Sequence, residues 1–372
     1  MNSVRIWTVL AVLFGAGPAG ATASLGMVPD GVSLGVPSEV ILVVSQGANR
    51  LALIEPGVHA PQQVVRVQDD PSVLVFRNGG DTAAILHKGD SKVGEAVTLF
   101  SLRLGRVLRV IDLANEANPE ASLFGPCAAA FEPDGAHLLL CVESSPHLYR
   151  VSTGDGKYVP LLNLGAAGAS DIVSSADGRF AWVSYAESGT LVVCDLLRGR
   201  VLRRISLGGG TSAIALHPDG HELWAANALT NSISVVDLDT NREVLEFPVG
   251  SQPWSLDFTP DGDSVLVIHR HGGSATLFDS KRRAVMAEIK LGPPRKGELG
   301  EGVGFEDVLG GPGVLPSSVS IAPDGRKAHV TCEGTDELVT LSLAPLAIER
   351  RRPIGRRPTA VCHAVLGVPS GS

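Results

Sequence analysis

Beyond Ala23 the sequence has no apolar stretch long enough for a transmembrane helix, and its main body has no long run of basic residues. The first absence excludes a helical membrane span there. The second, with a formal charge of −8, excludes bulk electrostatic attraction to nucleic acid. Aromatic residues are scarce, at 5%. The usual enzyme signatures are missing too. "VCHAV" (361–365) has Thr359 where a Cys-x-x-Cys-His haem attachment needs its first cysteine. "HELWA" lacks the second histidine of a zinc protease, "GPPRKGEL" lacks the Lys-Ser or Lys-Thr of a phosphate loop, and no Gly-x-Ser-x-Gly elbow occurs. No Asn-x-Ser/Thr sequon is present, which fits a bacterial exported protein. The cysteines are five (Cys127, Cys141, Cys194, Cys332 and Cys362), so at least one stays unpaired within the chain.

What is present points to a large core. The 372 residues are 44% hydrophobic and include 43 glycines, enough for two or three ordinary domains or one large all-β unit. The N-terminus stands apart. "MNSVRIWTVLAVLFGAGPAGATA" places Arg5 before an apolar run from Ile6 to Phe14 and ends in Ala21-Thr22-Ala23. That order is the pattern of a secretory signal, and the run is too short to span a bilayer. Residues 1–23 are therefore expected to be cleaved and 24–37 to act as a linker. The mature protein is expected in the periplasm or the medium.

Asp-Gly closes a similar stretch five times, at Asp134, Asp177, Asp219, Asp261 and Asp324, with spacings of 43, 42, 42 and 63. The last spacing falls into line if the Gly/Pro-rich segment 293–313 is an insertion. A degenerate copy, "VLVFRNGGDTAAILH", lies over "SLDFTPDGDSVLVIH". Periods of this size mean a repeat architecture. Each unit reads as four short strands, with proline presetting φ and glycine accepting positive φ in the first turn. Third strands end near Ile54, Phe100, Tyr149, Cys194, Val236, Phe278 and Leu341, giving seven units. The first lacks its innermost strand, and "GRRPTAVCHAVLG" (355–367) matches "GSQPWSLDFTPDG" (250–262). The chain's last strand is thus expected to complete blade one and shut a ring spanning 38–367, with 368–372 as a tail.

"HVTC" (329–332), "WAAN" (224–227) and "SISVVDLDTNREV" (232–244) resemble the repeat of the YVTN β-propeller family, over roughly residues 38–367. The resemblance implies an all-β, seven-bladed propeller of four-stranded blades. Similar propellers include sugar-lactone hydrolases and the heavy subunits of quinone-cofactor amine dehydrogenases, in which the chemistry resides on a partner chain. Fold alone does not choose among these.

In such blades the Pro-Asp-Gly turns share one face, and the second-to-third-strand loops share the other with the links between blades. The position eight residues after each turn, at the upper end of strand two, holds His87, Val142, Tyr185, Asn227, His269 and Cys332. His271 adjoins in "HRHGG", and the insertion carries Glu298, Glu301, Glu306 and Asp307. His269, His271, Cys332 and an insertion carboxylate are workable ligands for Zn or Cu. The alternative is that these histidines hydrogen-bond loop backbone. The insertion reads as a flap over the channel mouth or as slack linker. With the acidic link 112–125 it makes the loop face negative, which favours a cationic or metal-bearing partner over phosphate ligands. Cys127 and Cys141 are equidistant from Asp134, which sets them opposite each other at a non-hydrogen-bonded site. There they form either a bridge or two buried thiols. The basic cluster "ERRRPIGRR" (349–357) lies on an outer strand, where arginine discourages edge pairing or docks a partner. Three roles follow. The first is a binding or scaffold propeller that takes a protein or small ligand on its loop-rich face. The second is an enzyme or enzyme subunit of the kinds named above. The third is a metal or redox accessory.

Overall fold

The Pro-Asp-Gly stretches fold as their chemistry demands. The computed structural model describes residues 38–58, 61–77, 79–89, 95–113, 122–292 and 313–366. In the five turns the glycine has φ between 67° and 78°, a region costly to any side chain. The preceding aspartate accepts the N–H two residues on, as in Ala136 to Asp134 at 2.8 Å and Asp263 to Asp261 at 3.0 Å. Such turns reverse the chain tightly enough to pair strands one and two.

The described strands form seven four-stranded antiparallel sheets. From the axis outward, blade one comprises Pro358–Val365, Glu39–Ser45, Arg50–Ile54 and Gln63–Arg66. Blades two to seven have inner strands Pro71–Phe76, Pro126–Phe131, Asp171–Ser174, Thr211–Leu216, Pro253–Phe258 and Pro316–Ile321. The closing strand pairs Ala364 with Val40, Cys362 with Leu42 and Ala360 with Val44. It also packs against the inner strands of blades seven and two, so the ring is continuous. No helix among the described residues is long and apolar enough to cross a membrane.

Second strands are apolar on both faces because each lies between two neighbouring blades. Leu86, Leu140 and Phe131 meet between blades two and three, and Leu266, Ile268 and Val330 between six and seven. Each such side chain contributes about 1.5–3 kcal/mol on burial. Outer strands are largely exposed, Val244, Val285 and Met286 among their apolar residues. On the outer strand of blade seven, Leu346–Pro353, the basic cluster is largely committed to neighbours. Arg350 Nη1 donates to the carbonyls of Gly57 and Val58 at 3.2 and 3.3 Å, and Arg352 to that of Val58. Arg351 pairs with Glu337 at 3.1 Å. Two of these arginines thus tie blade seven to blade one outside the closing strand.

Candidate functional site on the loop face

The upper ends of the second strands do not face the channel. His87 and His269 are fully buried, each with Nε2 within hydrogen-bond reach of a threonine on its own third strand: Thr98 at 2.9 Å and Thr276 at 3.0 Å. Asn227 makes the equivalent contact by donating to Ser234 at 2.8 Å, and Tyr185 donates to the Ala166 carbonyl at 2.9 Å. Burial pulls both histidines down to about 4, so they are neutral at ordinary pH. Nδ1 of each is buried without a hydrogen-bond partner. The bonds of these histidines thus run to third-strand hydroxyls and not to loop backbone. Cys332 lies in the apolar core of blades six and seven, where burial pushes its thiol up to about 12. His271 is half-buried in the adjoining loop.

His269, His271 and Cys332 do not come together as a metal-competent group among the described residues. Among the described residues, the one group of three or more metal-competent atoms within 4.8 Å of one another is Glu132, Asp134 and His137, at the turn face of blade three. There Glu132 already accepts from Arg150 at 2.8 Å. Glu298, Glu301, Glu306 and Asp307 lie outside the described residues, as do residues 1–37 and most of the link 112–125.

The first residue that does reach the rim is one step later in the repeat. Around the ring it is Gln46, Lys88, Glu143, Ala186, Ala228, Arg270 and Glu333. The polar members pair blade to blade. Lys88 Nζ meets Glu143 at 2.8 Å, and Gln46 donates to Asp70. Arg270 pairs with Glu333, whose other oxygen accepts from Arg357 Nη2 at 2.9 Å. Two guanidinium groups hold the Glu333 carboxyl below the usual carboxylate range, against the opposing effect of burial. The Arg270 guanidinium sits 4.8 Å above the Trp254 ring. Sequence reasoning missed these residues, although comparing blades one column further along the register exposes the alternation.

Below the rim, the channel wall is built by alternate residues of the inner strands. Asp171 accepts the N–H of Ile214 at 2.9 Å, and Asp257 that of Ile321 at 2.7 Å. Ser318 and Ser320 accept from Val361 at 3.3 Å and His363 at 3.0 Å. Each bond satisfies an inner-edge donor of the next blade. Both aspartates are half-buried on this wall, and desolvation raises each to about 6. The corresponding residues of blades two, three and five are Val73, Val75, Ala128, Ala130, Ala213 and Ala215. Polar side chains thus line the wall at blades four, six and seven, and apolar ones at blades two, three and five.

Of the two alternatives for Cys127 and Cys141 the structure has the thiols, and the expectation that they sit directly opposite is corrected. Cys127 and Cys141 are both free thiols. The ladder skips from Pro126–Val142 to Ala128–Cys141, so Cys127 is the extra residue of a β-bulge and does not oppose Cys141. The same bulge position holds Ser72, Ser212, Trp254 and Ser317 in blades two, five, six and seven. Ser212 and Ser317 donate onward to Pro253 and Pro358 carbonyls at 3.0 and 2.8 Å, and Thr359 to Pro71 at 3.3 Å. Cys127 stands in this hydroxyl column and donates to the Cys141 carbonyl at 3.4 Å.

Comparison with known proteins agrees with this architecture. Residues 162–300 match the model of the YNCE-like beta-propeller family. No curated protein sequence matches the chain significantly. Among solved structures, hydrazine synthase of Kuenenia stuttgartiensis is similar with a TM-score of 0.63 and 19% identity, over 83% of this chain and 92% of that one. A functionally unknown protein of Desulfotomaculum acetoxidans DSM 771 gives 0.67 and 12%, over 88% and 99%. At these identities the likeness concerns the fold. Repeat and ring topology make the chain a seven-bladed β-propeller with a YNCE-like match over residues 162–300, and a YVTN-type repeat is consistent with both.

Proposed function

We propose that this propeller is an exported binding protein that engages a protein partner or small ligand through its loop face, in the sector from blade six to blade two. The observation that carries the reading is the rim cluster of Trp254, Arg270, Glu333 and Arg357, with Lys88–Glu143 further round. It places ordered charges of both signs at the channel mouth, beside an aromatic face. Such pre-positioned side chains lose little freedom on binding, which favours recognition. The two ends of the insertion, Gly292 and Gly313, reach the same face between blades six and seven. A partner that carries chemistry of its own is one form of this reading. The N-terminal signal pattern supports export.

Photo-crosslinking in the native host tests this. A crosslinking residue is placed at Arg356 on the loop face of this sector, at Leu229 on the loop face of blade five, or at Leu197 on the turn face. Leu229 and Leu197 are equally exposed, at 75% and 77%, so accessibility does not bias the comparison. A discrete adduct from the exported fraction at Arg356, weaker at Leu229 and absent at Leu197, is expected. Adducts at Leu197 alone, or the protein retained in the cytosol, would overturn the proposal.

A further inference from the structure

Between blades five and six, Trp224 packs against Phe258 with ring centroids 5.5 Å apart and planes at 82°. Trp224 follows its turn aspartate by five residues, and Phe258 precedes the next one by three. Between blades seven and one, these two repeat positions hold His329 and His363. Their centroids lie 5.3 Å apart with planes at 36°, and the rings are 3% and 4% exposed. The junction between blades seven and one thus carries two imidazoles where that between blades five and six has two apolar rings and that between six and seven has Leu266 and Ile321.

Their surroundings leave them poorly prepared for charge. His329 Nδ1 lies 3.2 Å from Thr340 Oγ1, on the third strand of blade seven. Neither ring nitrogen of His363 has a hydrogen-bond partner. The nearest counter-charge is Glu39, on the second strand of blade one, with Oε2 at 3.5 Å from His363 Nε2. Asp324, in the turn of blade seven, acts on His363 from further away. Arg352 on the outer strand and Lys327 at the head of the second strand oppose a charge on His329. Arg352 is itself buried, with Nε and Nη1 unpaired.

We propose that His329 and His363 form an acid-sensitive latch, so that protonation frees the closing strand Pro358–Val365 before the blades themselves unfold. The pair is neutral when closed, and desolvation holds His329 down to about 3 and lowers His363 as well. A freed strand exposes both rings, whose ordinary value is 6.5. The open state therefore binds more protons. Closure is at full strength above about pH 6.5 and weakens as pH falls toward the closed-state values. Each histidine contributes about a tenfold rise in the opening equilibrium per pH unit, and the pair up to about a hundredfold.

Cys362, half-buried beside His363 on the closing strand, reports the opening through the pH dependence of its labelling, while buried Cys194 in blade four reports general unfolding. The intact protein is exposed from pH 7 to 4.5 to a disulfide reagent active in acid, and labelling at each cysteine is read by peptide mass spectrometry. Labelling of Cys362 ahead of Cys194, with an opening equilibrium steeper than tenfold per pH unit, is expected. His329→Trp/His363→Phe, which installs the blade-five pair, should flatten that dependence. His329→Gln should reduce it to about tenfold per unit, and it decides the matter if the double variant does not fold. Parallel labelling of both cysteines, or an unchanged slope in His329→Gln, overturns the latch.

Discussion

Just before each inner strand, blades three, four and five have Gly125, Gly168 and Gly210, with φ of 64° to 75°. Blades six, seven, one and two have Gln252, Leu315, Arg357 and Asp70 there, with φ of 43° to 54°. The left-handed turn is a demand of the ring, since every blade meets it. Glycine meets it without strain, whereas a side chain costs about 1 kcal/mol or more. Three of the four strained residues recover a backbone bond: Asp70, Gln252 and Arg357 donate to Asn49, Asn231 and Asp336 at 3.1, 2.7 and 2.8 Å. The same half of the ring carries the Arg270–Glu333–Arg357 cluster, and its blades six and seven supply Asp257, Ser318 and Ser320 to the channel wall. One half is economical in backbone strain, and the other spends stability on side chains at the mouth.

Exchanging the two solutions gives the largest effect. Gly210→Gln puts a Cβ about 2.5 Å from Leu229 Cγ and 2.7 Å from its backbone nitrogen, at a φ of +75°. A loss of about 3 kcal/mol or more is expected by chemical denaturation, from strain plus collision. The reverse change, Gln252→Gly, relieves strain while loosening the unfolded chain, and should stay within about 1 kcal/mol. Equal losses in both directions would mean that the two halves do not differ in the way described.

The channel carboxylates give the next effect, through pH. Asp257 is raised from 3.8 to about 6 by burial, so the folded state holds a proton that the unfolded state releases. Its contribution is complete below pH 3.8 and is lost as pH rises through about 6, roughly 3 kcal/mol in all. The advantage of the parent over Asp257→Asn should therefore shrink across that window. His87 and His269, lowered from 6.5 to about 4, run the opposite way and lose stability as pH falls through the same range. A parent-to-variant gap that widens with rising pH would refute the assignment.

The rim pairs rank third. Glu333 is 13% exposed and serves two guanidinium groups, so Glu333→Gln strands partly buried charge. It should cost about 1–2 kcal/mol in thermal or denaturant unfolding. Lys88 and Glu143 are 40% and 53% exposed, and Glu143→Gln should cost less than about 0.5 kcal/mol. Similar losses at both pairs would erase the contrast between the two halves.

Much of the fold was legible because its punctuation is chemical. Asp134 and its four counterparts each cap a turn that needs a short acceptor before a left-handed glycine. The unmatched strand at the chain's end had one gap to fill. The site was less legible for two reasons. The register was counted to the last residue of strand two, but that strand is enclosed between neighbouring blades, so His87, His269 and Cys332 belong to the core and the rim begins one residue later. The ladder was also taken as unbroken across the Pro-Asp-Gly turn, and a bulge carries no sequence mark of its own. Hydroxyls recurring at the bulge column were the available signal, and Trp254 and Cys127 interrupt it.

Cys127 supplies the smallest effect and a sharp discrimination. A thiol that merely stands in for a hydroxyl should accept its replacement, so Cys127→Ser is expected to shift stability by less than about 0.5 kcal/mol. Serine is the residue that blades two, five and seven use at the same bulge, and Ser212 and Ser317 donate to the facing strand's carbonyl at 3.2 and 3.3 Å, as Cys127 does at 3.4 Å. A bridge between Cys127 and Cys141 would instead make the same change costly, since it would remove a covalent closure and leave Cys141 buried alone. Titration of the unreduced, denatured protein separates the cases without mutation. Five reactive thiols agree with the bulge. Fewer would place a covalent bond across a register that the β-ladder does not provide.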